Sequence, residues 1–174
     1  MTKRLLPALV VLALTAPRLE AQQVDPSWMH ADSAARRVTF DLIAGVPGVN
    51  GGLNFNGFTT GGLTFVAPVG WQVTFSFVNR DPALTHSFEV ITPRDPLPIQ
   101  AVTPSIPGAG SKELLLGVAA GRPAELVKFT AAPAGDYLVY CAVPGHGMAG
   151  MWVRLKIDAA ARRPTVLPTP AATR

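Results

Sequence analysis

The chain has 174 residues, 48% of them hydrophobic and 15% charged, a composition that suits one globular domain with an apolar core and excludes a disordered or fibrous chain. The formal net charge is +4, but Arg162, Arg163 and Arg174 fall in an Ala/Pro-rich terminal stretch, and no basic run of the kind that binds nucleic acid occurs elsewhere. A single cysteine, Cys141, rules out an internal disulfide.

The first 21 residues read as a secretory signal peptide: Lys3 and Arg4 precede an apolar run from Leu5 to Ala16, and a polar stretch ends in the small residue Ala21. The run is too short for a comfortable membrane span, which needs about 20 residues. A buried N-terminal helix or a retained anchor is the alternative, although Pro7 and Pro17 oppose a long helix. Cleavage after Ala21 removes Lys3, Arg4, Arg18 and Glu20, leaving 12 basic and 10 acidic side chains and no later span. In the oxidising compartment this implies, a free thiol is either buried as a small hydrophobe or held by a metal.

Residues 22–37 form an N-terminal extension in which "DPSWMHADSAARR" is the one helical candidate, with Asp25 or Ser27 as its cap. From Val38 onward the sequence breaks into short strands between Gly- and Pro-rich turns: "RVTFDLIA", "GLNFNGF", "GLTFVAP", "WQVTFSFVN", "HSFEVIT", "KELLLGV", "AELVKFTA", "GDYLVYC" and "MWVRLKI". In "WQVTFSFVN", Val73, Phe75 and Phe77 alternate with Gln72, Thr74 and Ser76, the signature of a half-buried strand. The expected fold is all-β, a Greek-key sandwich over residues 38–158, followed by a flexible tail over 159–174.

One loop carries the chemistry. Cys141, His146 and Met151 are spaced C-x4-H-x4-M between the ends of two predicted strands. Thiolate, imidazole and thioether are a soft donor set suited to copper, which is usually completed by a second imidazole. Besides His146 the chain has His30 and His86. His86 opens "HSFEVI" in phase with Phe88 and Val90, so it points inward at a strand end; Cys141 is likewise in phase with Tyr137 and Val139, and Met151 with Val153, Leu155 and Ile157. His30 sits in a polar segment beside Arg36 and Arg37 and reads as a surface residue. Met148, two residues after His146, is the less well-spaced thioether. Singly, a buried Cys, a core Met and a Gly-rich turn explain these residues; jointly they point to a metal site.

With "LNFNGF", "GWQVTFSFVN" and "HSFEVI", the stretch "GDYLVYCAVPGHGMAGMW" resembles the cupredoxins, and within them the rusticyanin and sulfocyanin branch, over roughly residues 38–157. The resemblance implies one copper ion cycling between Cu(I) and Cu(II), bound by His86, Cys141, His146 and Met151. It also places the backbone N–H of Ser87 near the thiolate sulfur. The implied function is single-electron transfer between redox partners, a cytochrome c or a terminal oxidase, in the periplasm or outside the cell. Small and apolar neighbours, Pro144, Gly145 and Gly147, with Leu84 and the 82–84 and 106–110 turns, would border a docking patch around His146. Three histidines are too few for a multicopper enzyme, and no hydrolytic triad, carboxylate pair or phosphate loop is recognisable, so no enzymatic activity is expected. A copper carrier or store without a redox circuit, or a metal-free sandwich acting as a binding module, remain the alternative classes.

Overall fold

The computed structural model describes residues 23–170. Nine strands form two sheets: β1 (Met29–Asp32), β2 (Arg37–Ala44), β4 (Gln72–Asn79) and β6 (Glu125–Thr130) in one, and β5 (Glu89–Ile91), β7 (Gly135–Tyr140), β8 (Trp152–Asp158), β3 (Leu63–Pro68) and β9 (Thr165–Pro168) in the other. β2 runs parallel to β4 and β3 parallel to β8, while the remaining pairs are antiparallel. Alternation explains the layers. Val38, Phe40 and Leu42 of β2, Val73, Phe75 and Phe77 of β4, and Val153, Leu155 and Ile157 of β8 are all buried in one core between the sheets. Phe75 is its hub, with ring centroids 5.8 Å from Phe40, 5.3 Å from Phe65, 5.4 Å from Phe88 and 5.9 Å from Phe129.

Four expectations need correction. "DPSWMHADSAARR" is not a helix: Asp25 caps only a 3-10 turn, Pro26–Trp28, by accepting the Ser27 N–H, and the chain then pairs as β1 along β2. "GLNFNGF" is not a strand, because its buried asparagines take backbone groups for themselves. Asn54 bonds Val46 through both its N–H and its carbonyl and also reaches the Val49 carbonyl, and Asn56 spans Asp41 and Ile43. "KELLLGV" is a turn: Gly117, at φ +67, packs on the backbone of His86, where a Cβ would lie 2.9 Å from the His86 nitrogen. The tail contains β9, which pairs with β3 and is held further by a 2.6 Å hydroxyl contact between Thr64 and Thr169. The folded unit therefore extends past 38–158 on both sides. The signal-peptide reading of residues 1–21 and the last residues of the tail, 171–174, lie outside the described residues. Among the described residues no helix is long and apolar enough to cross a membrane.

β2 and β4 end, and β3 and β8 begin, at the same end of the sandwich. The segments 45–62, 80–88 and 141–151 all gather there. A second, smaller core lies on the outer face of the five-stranded sheet, where Ile91, Leu138, Tyr140 and Ala142 are covered by Leu97, Ala101, Val102 and Leu114. β7 is thus buried on both faces, and its run "YLVYCA" is apolar at every position except the two tyrosine hydroxyls.

Candidate metal centre

At this loop-bearing end, ligand atoms of His86, Cys141 and His146 lie within 4.8 Å of one another. Cys141 follows β7 directly and is fully buried, with its sulfur 3.6 Å from Nδ1 of His146. The imidazoles of His86 and His146 face each other at 5.2 Å between ring centroids. His86 comes from the opposite strand-to-strand connection, 86 being joined to 118 by a two-way backbone bridge. Met151 is buried and backbone-bonded to both neighbours: its N–H donates to the His146 carbonyl at 3.1 Å, and its carbonyl accepts the Cys141 N–H at 3.0 Å. Met148 is half exposed, and His30 is exposed on β1.

Two buried side-chain atoms among the described residues are left without a partner, Oε2 of Glu89 and one atom of the site itself. Nδ1 of His86 is buried without a hydrogen-bond partner, while Nε2 of the same ring meets Oδ2 of Asp81 at 3.1 Å. A neutral imidazole has one donor and one acceptor nitrogen. With Nε2–H given to the carboxylate, Nδ1 offers its lone pair toward the Cys141 and His146 side chains. A buried lone pair with no donor to satisfy it is costly, and a metal cation would supply the partner it lacks.

The electrostatics agree. Burial pushes the Cys141 thiol up to about 11, against smaller downward pulls from the Ser87 and Val143 backbone N–H groups, so a thiolate needs a cation beside it. Burial also lowers both imidazoles, that of His86 against the pull of Asp81 and that of His146 with help from His86. Both therefore stay neutral, as ligands must. For Asp81 burial opposes the charge, but the Ala83 N–H, His86 and the Leu84 N–H outweigh it and hold the carboxyl below its usual range.

The loop is held rigid from two sides. Asn50 donates to the Ala149 carbonyl and the Thr60 N–H to the Gly150 carbonyl; opposite, the Gly145 N–H donates to Ile99 and the Ala101 N–H to Ala142. Tyr140 hydroxyl bonds to the Pro98 and Gln100 carbonyls pin the segment that makes those last contacts. Gly147, expected at the surface, is instead buried: it lies flat on the Tyr140 ring, where any Cβ would overlap the ring carbons. The 106–110 turn is also not at the metal end. Its Ile106 and Ala109 are buried, and it pairs along the edge of β5.

The sequence pattern of the "Sulfocyanin (SoxE) domain" matches residues 27–167, nearly the whole described structure. The chain belongs to the sulfocyanin family. It is a cupredoxin of the rusticyanin and sulfocyanin branch, and its cofactor is copper. Sulfocyanin of Sulfolobus acidocaldarius is 32% identical over 109 residues, covering 59% of this chain and 54% of that protein, so the chain spans about half the length of this curated relative. Rusticyanin from Thiobacillus ferrooxidans has the same fold at 20% identity, with a TM-score of 0.54 over 75% of this chain and 86% of that one. Reduced rusticyanin aligns at 21% identity and a TM-score of 0.54, over 71% and 85% of the two chains.

Sequence reasoning missed Asp81, Ile99, Leu115 and Leu116. The signal for Asp81 was present in "NRDPALTH", where Asp-Pro opens a turn that brings a carboxylate back toward His86. The leucines were concealed by reading "KELLLGV" as a strand.

Proposed function

We propose that this cupredoxin is a periplasmic or secreted carrier that passes single electrons between protein partners, its copper held by His86, Cys141, His146 and Met151. The observation that carries the assignment is the buried, unpartnered Nδ1 of His86 aimed at a thiol and a second imidazole. Bound there, copper supplies a one-electron Cu(I)/Cu(II) couple.

The protein supplies a fixed, dry cage and an exit. The bonds from 50–61 and 97–101 keep the Cys141–Met151 loop from rearranging when the charge at the site changes, which keeps reorganisation small. Ser87 contributes its backbone N–H toward the Cys141 sulfur, while its hydroxyl donates to the Leu114 carbonyl at 2.7 Å and fixes that backbone in place. His146 is only half buried and is the ligand nearest solvent.

Among the described residues eight large apolar side chains are exposed, and five of them lie on segments that reach this end: Leu84 is 37% exposed, Ile99 63%, Leu115 49%, Leu116 75% and Met148 50%. Pro144 and Gly145 complete this rim. An apolar patch of this kind suits a small, transient interface with a redox partner such as a cytochrome c or a terminal oxidase. A copper store would favour several exposed thioethers, whereas Met148 is the one strongly exposed methionine among the described residues.

Adding Cu(II) to the purified protein and recording the visible spectrum and potential tests the assignment. An intense thiolate-to-copper charge-transfer band that disappears in Cys141→Ser is expected. A correctly folded wild-type protein without that band would overturn it.

A further inference from the structure

Asp81 is almost completely buried, 7% exposed, and every group around it is a donor. Its Oδ1 accepts the N–H groups of Ala83 at 2.9 Å and Leu84 at 3.1 Å, and its Oδ2 takes Nε2 of His86 at 3.1 Å. Its own N–H donates to Oδ1 of Asn79 at 2.8 Å, which fixes the start of the turn. Three donors converging on two oxygens require a group that only accepts. A carboxylate meets that requirement, but an amide must present its NH2 either to His86 or to the two backbone N–H groups.

The glycines of "GVPGVNGG" explain how a carboxylate comes to be enclosed here. Gly45, at φ +74, lies against the Asp81 backbone, where a Cβ would be 2.7 Å from its nitrogen and would overlap its Cβ. Gly52, at φ +90, lies against Oδ2 itself and leaves no room for a side chain. Both backbone conformations are ones that glycine adopts readily. This turn closes over one carboxylate.

We infer that Asp81 is a positioning residue that sets both the tautomer and the charge balance of the copper site through His86. This rests on the ligand assignment proposed above. By accepting Nε2–H, the carboxylate keeps the proton off Nδ1 and orients the ring, as outer carboxylates do for metal-bound histidines. Its negative charge, shielded from water by Gly45 and Gly52, favours the more highly charged Cu(II) over Cu(I) and so draws the potential down. Asp81 also holds Leu84, so the same carboxylate couples the site to the rim of the docking face.

The test compares copper-loaded wild type with Asp81→Asn and with Asp32→Asn, the latter removing an exposed charge at the opposite end of the sandwich. Asp81→Asn is expected to raise the potential by an amount equal to at least a tenfold loss of Cu(II) preference over Cu(I), about 59 mV for one electron. Asp32→Asn should leave it in place. In the diamagnetic Cu(I) wild type, nitrogen-15 NMR should show the His86 proton on Nε2 and protected from exchange, a measurement that needs no variant to fold. An Asp81→Asn protein that is blue but shifts no more than Asp32→Asn, or a wild-type His86 whose Nε2 carries no protected proton, would overturn the inference. Failure of the wild type to bind copper with a blue band would instead sink the ligand assignment.

Discussion

At Cys141 the burial that disfavours a bare thiolate also sets the proton balance of metal binding. Because the thiol sits at about 11, it is protonated at neutral pH, while both imidazoles are already neutral. Copper uptake at pH 7 should therefore release about one proton per ion, measurable by calorimetry in buffers of different ionisation enthalpy. The imidazoles also set how the copper-free fold responds to acid. His86 and His146 bind protons more weakly folded than unfolded, so the unfolded chain takes up more protons as pH falls below the ordinary imidazole value near 6.5. Stability in denaturant titrations should be full above that value and decline below it, by at most about 1.4 kcal/mol per pH unit for each imidazole. Asp81 likewise binds its proton more weakly folded than unfolded, and its contribution is lost only as pH falls below the usual carboxylate range. Of the two loop methionines, the buried Met151 is the one that would hold copper. Met151→Leu is expected to keep copper and raise the potential, and Met148→Leu to leave the potential unchanged; the reverse pattern in voltammetry would make Met148 the thioether that holds copper.

At the scale of elements, the loop from Cys141 to Met151 is only as rigid as the segments clasping it. Gly147 lies on the Tyr140 ring, and Tyr140 in turn anchors Pro98 and Gln100, which carry Ile99 up to Gly145. Gly147→Ala forces the ring aside and should loosen this chain of contacts. The expected result is a loss of about 1–3 kcal/mol in unfolding stability, as for overpacked cores, together with a broadened charge-transfer band. Much of this element was legible beforehand: period two in "YLVYC" and "MWVRLKI" placed Cys141 and Met151 on the inner face. The neighbouring segments were not. "GLNFNGF" has the alternation of a strand, yet its asparagines satisfy backbone groups that a strand would have paired with a neighbour. "KELLLGV" has the composition of a strand but turns at Gly117, because that glycine must pass over the backbone of His86.

Across the whole molecule, one aromatic core joins the two sheets to the site, since Phe88, two residues after His86, packs edge-on against Phe75 and at a tilt against Phe77. Phe75→Ala removes the ring shared by four others and should cost about 3–5 kcal/mol in unfolding stability. The docking face proposed above is a separate property of the same end. Leu116→Asp places a charge at its most exposed apolar position; it should slow electron exchange with an apolar redox partner by tenfold or more in stopped-flow measurements while leaving the visible spectrum and the unfolding midpoint unchanged.

The sequence by itself determined the strands that alternate, the inward phase of His86, Cys141 and Met151, and the soft donor chemistry of the loop, because these follow from periodicity and side-chain type. Only the tertiary structure decided that Asp81 stands behind His86, that the Gly45 and Gly52 turn encloses it, that β1 and β9 extend the sheets, and that the segments carrying Ile99, Leu115 and Leu116 reach the metal end. Each of these depends on which distant segments of the chain meet. That meeting is set by long-range strand pairing and backbone hydrogen bonds, which leave no period in the local sequence.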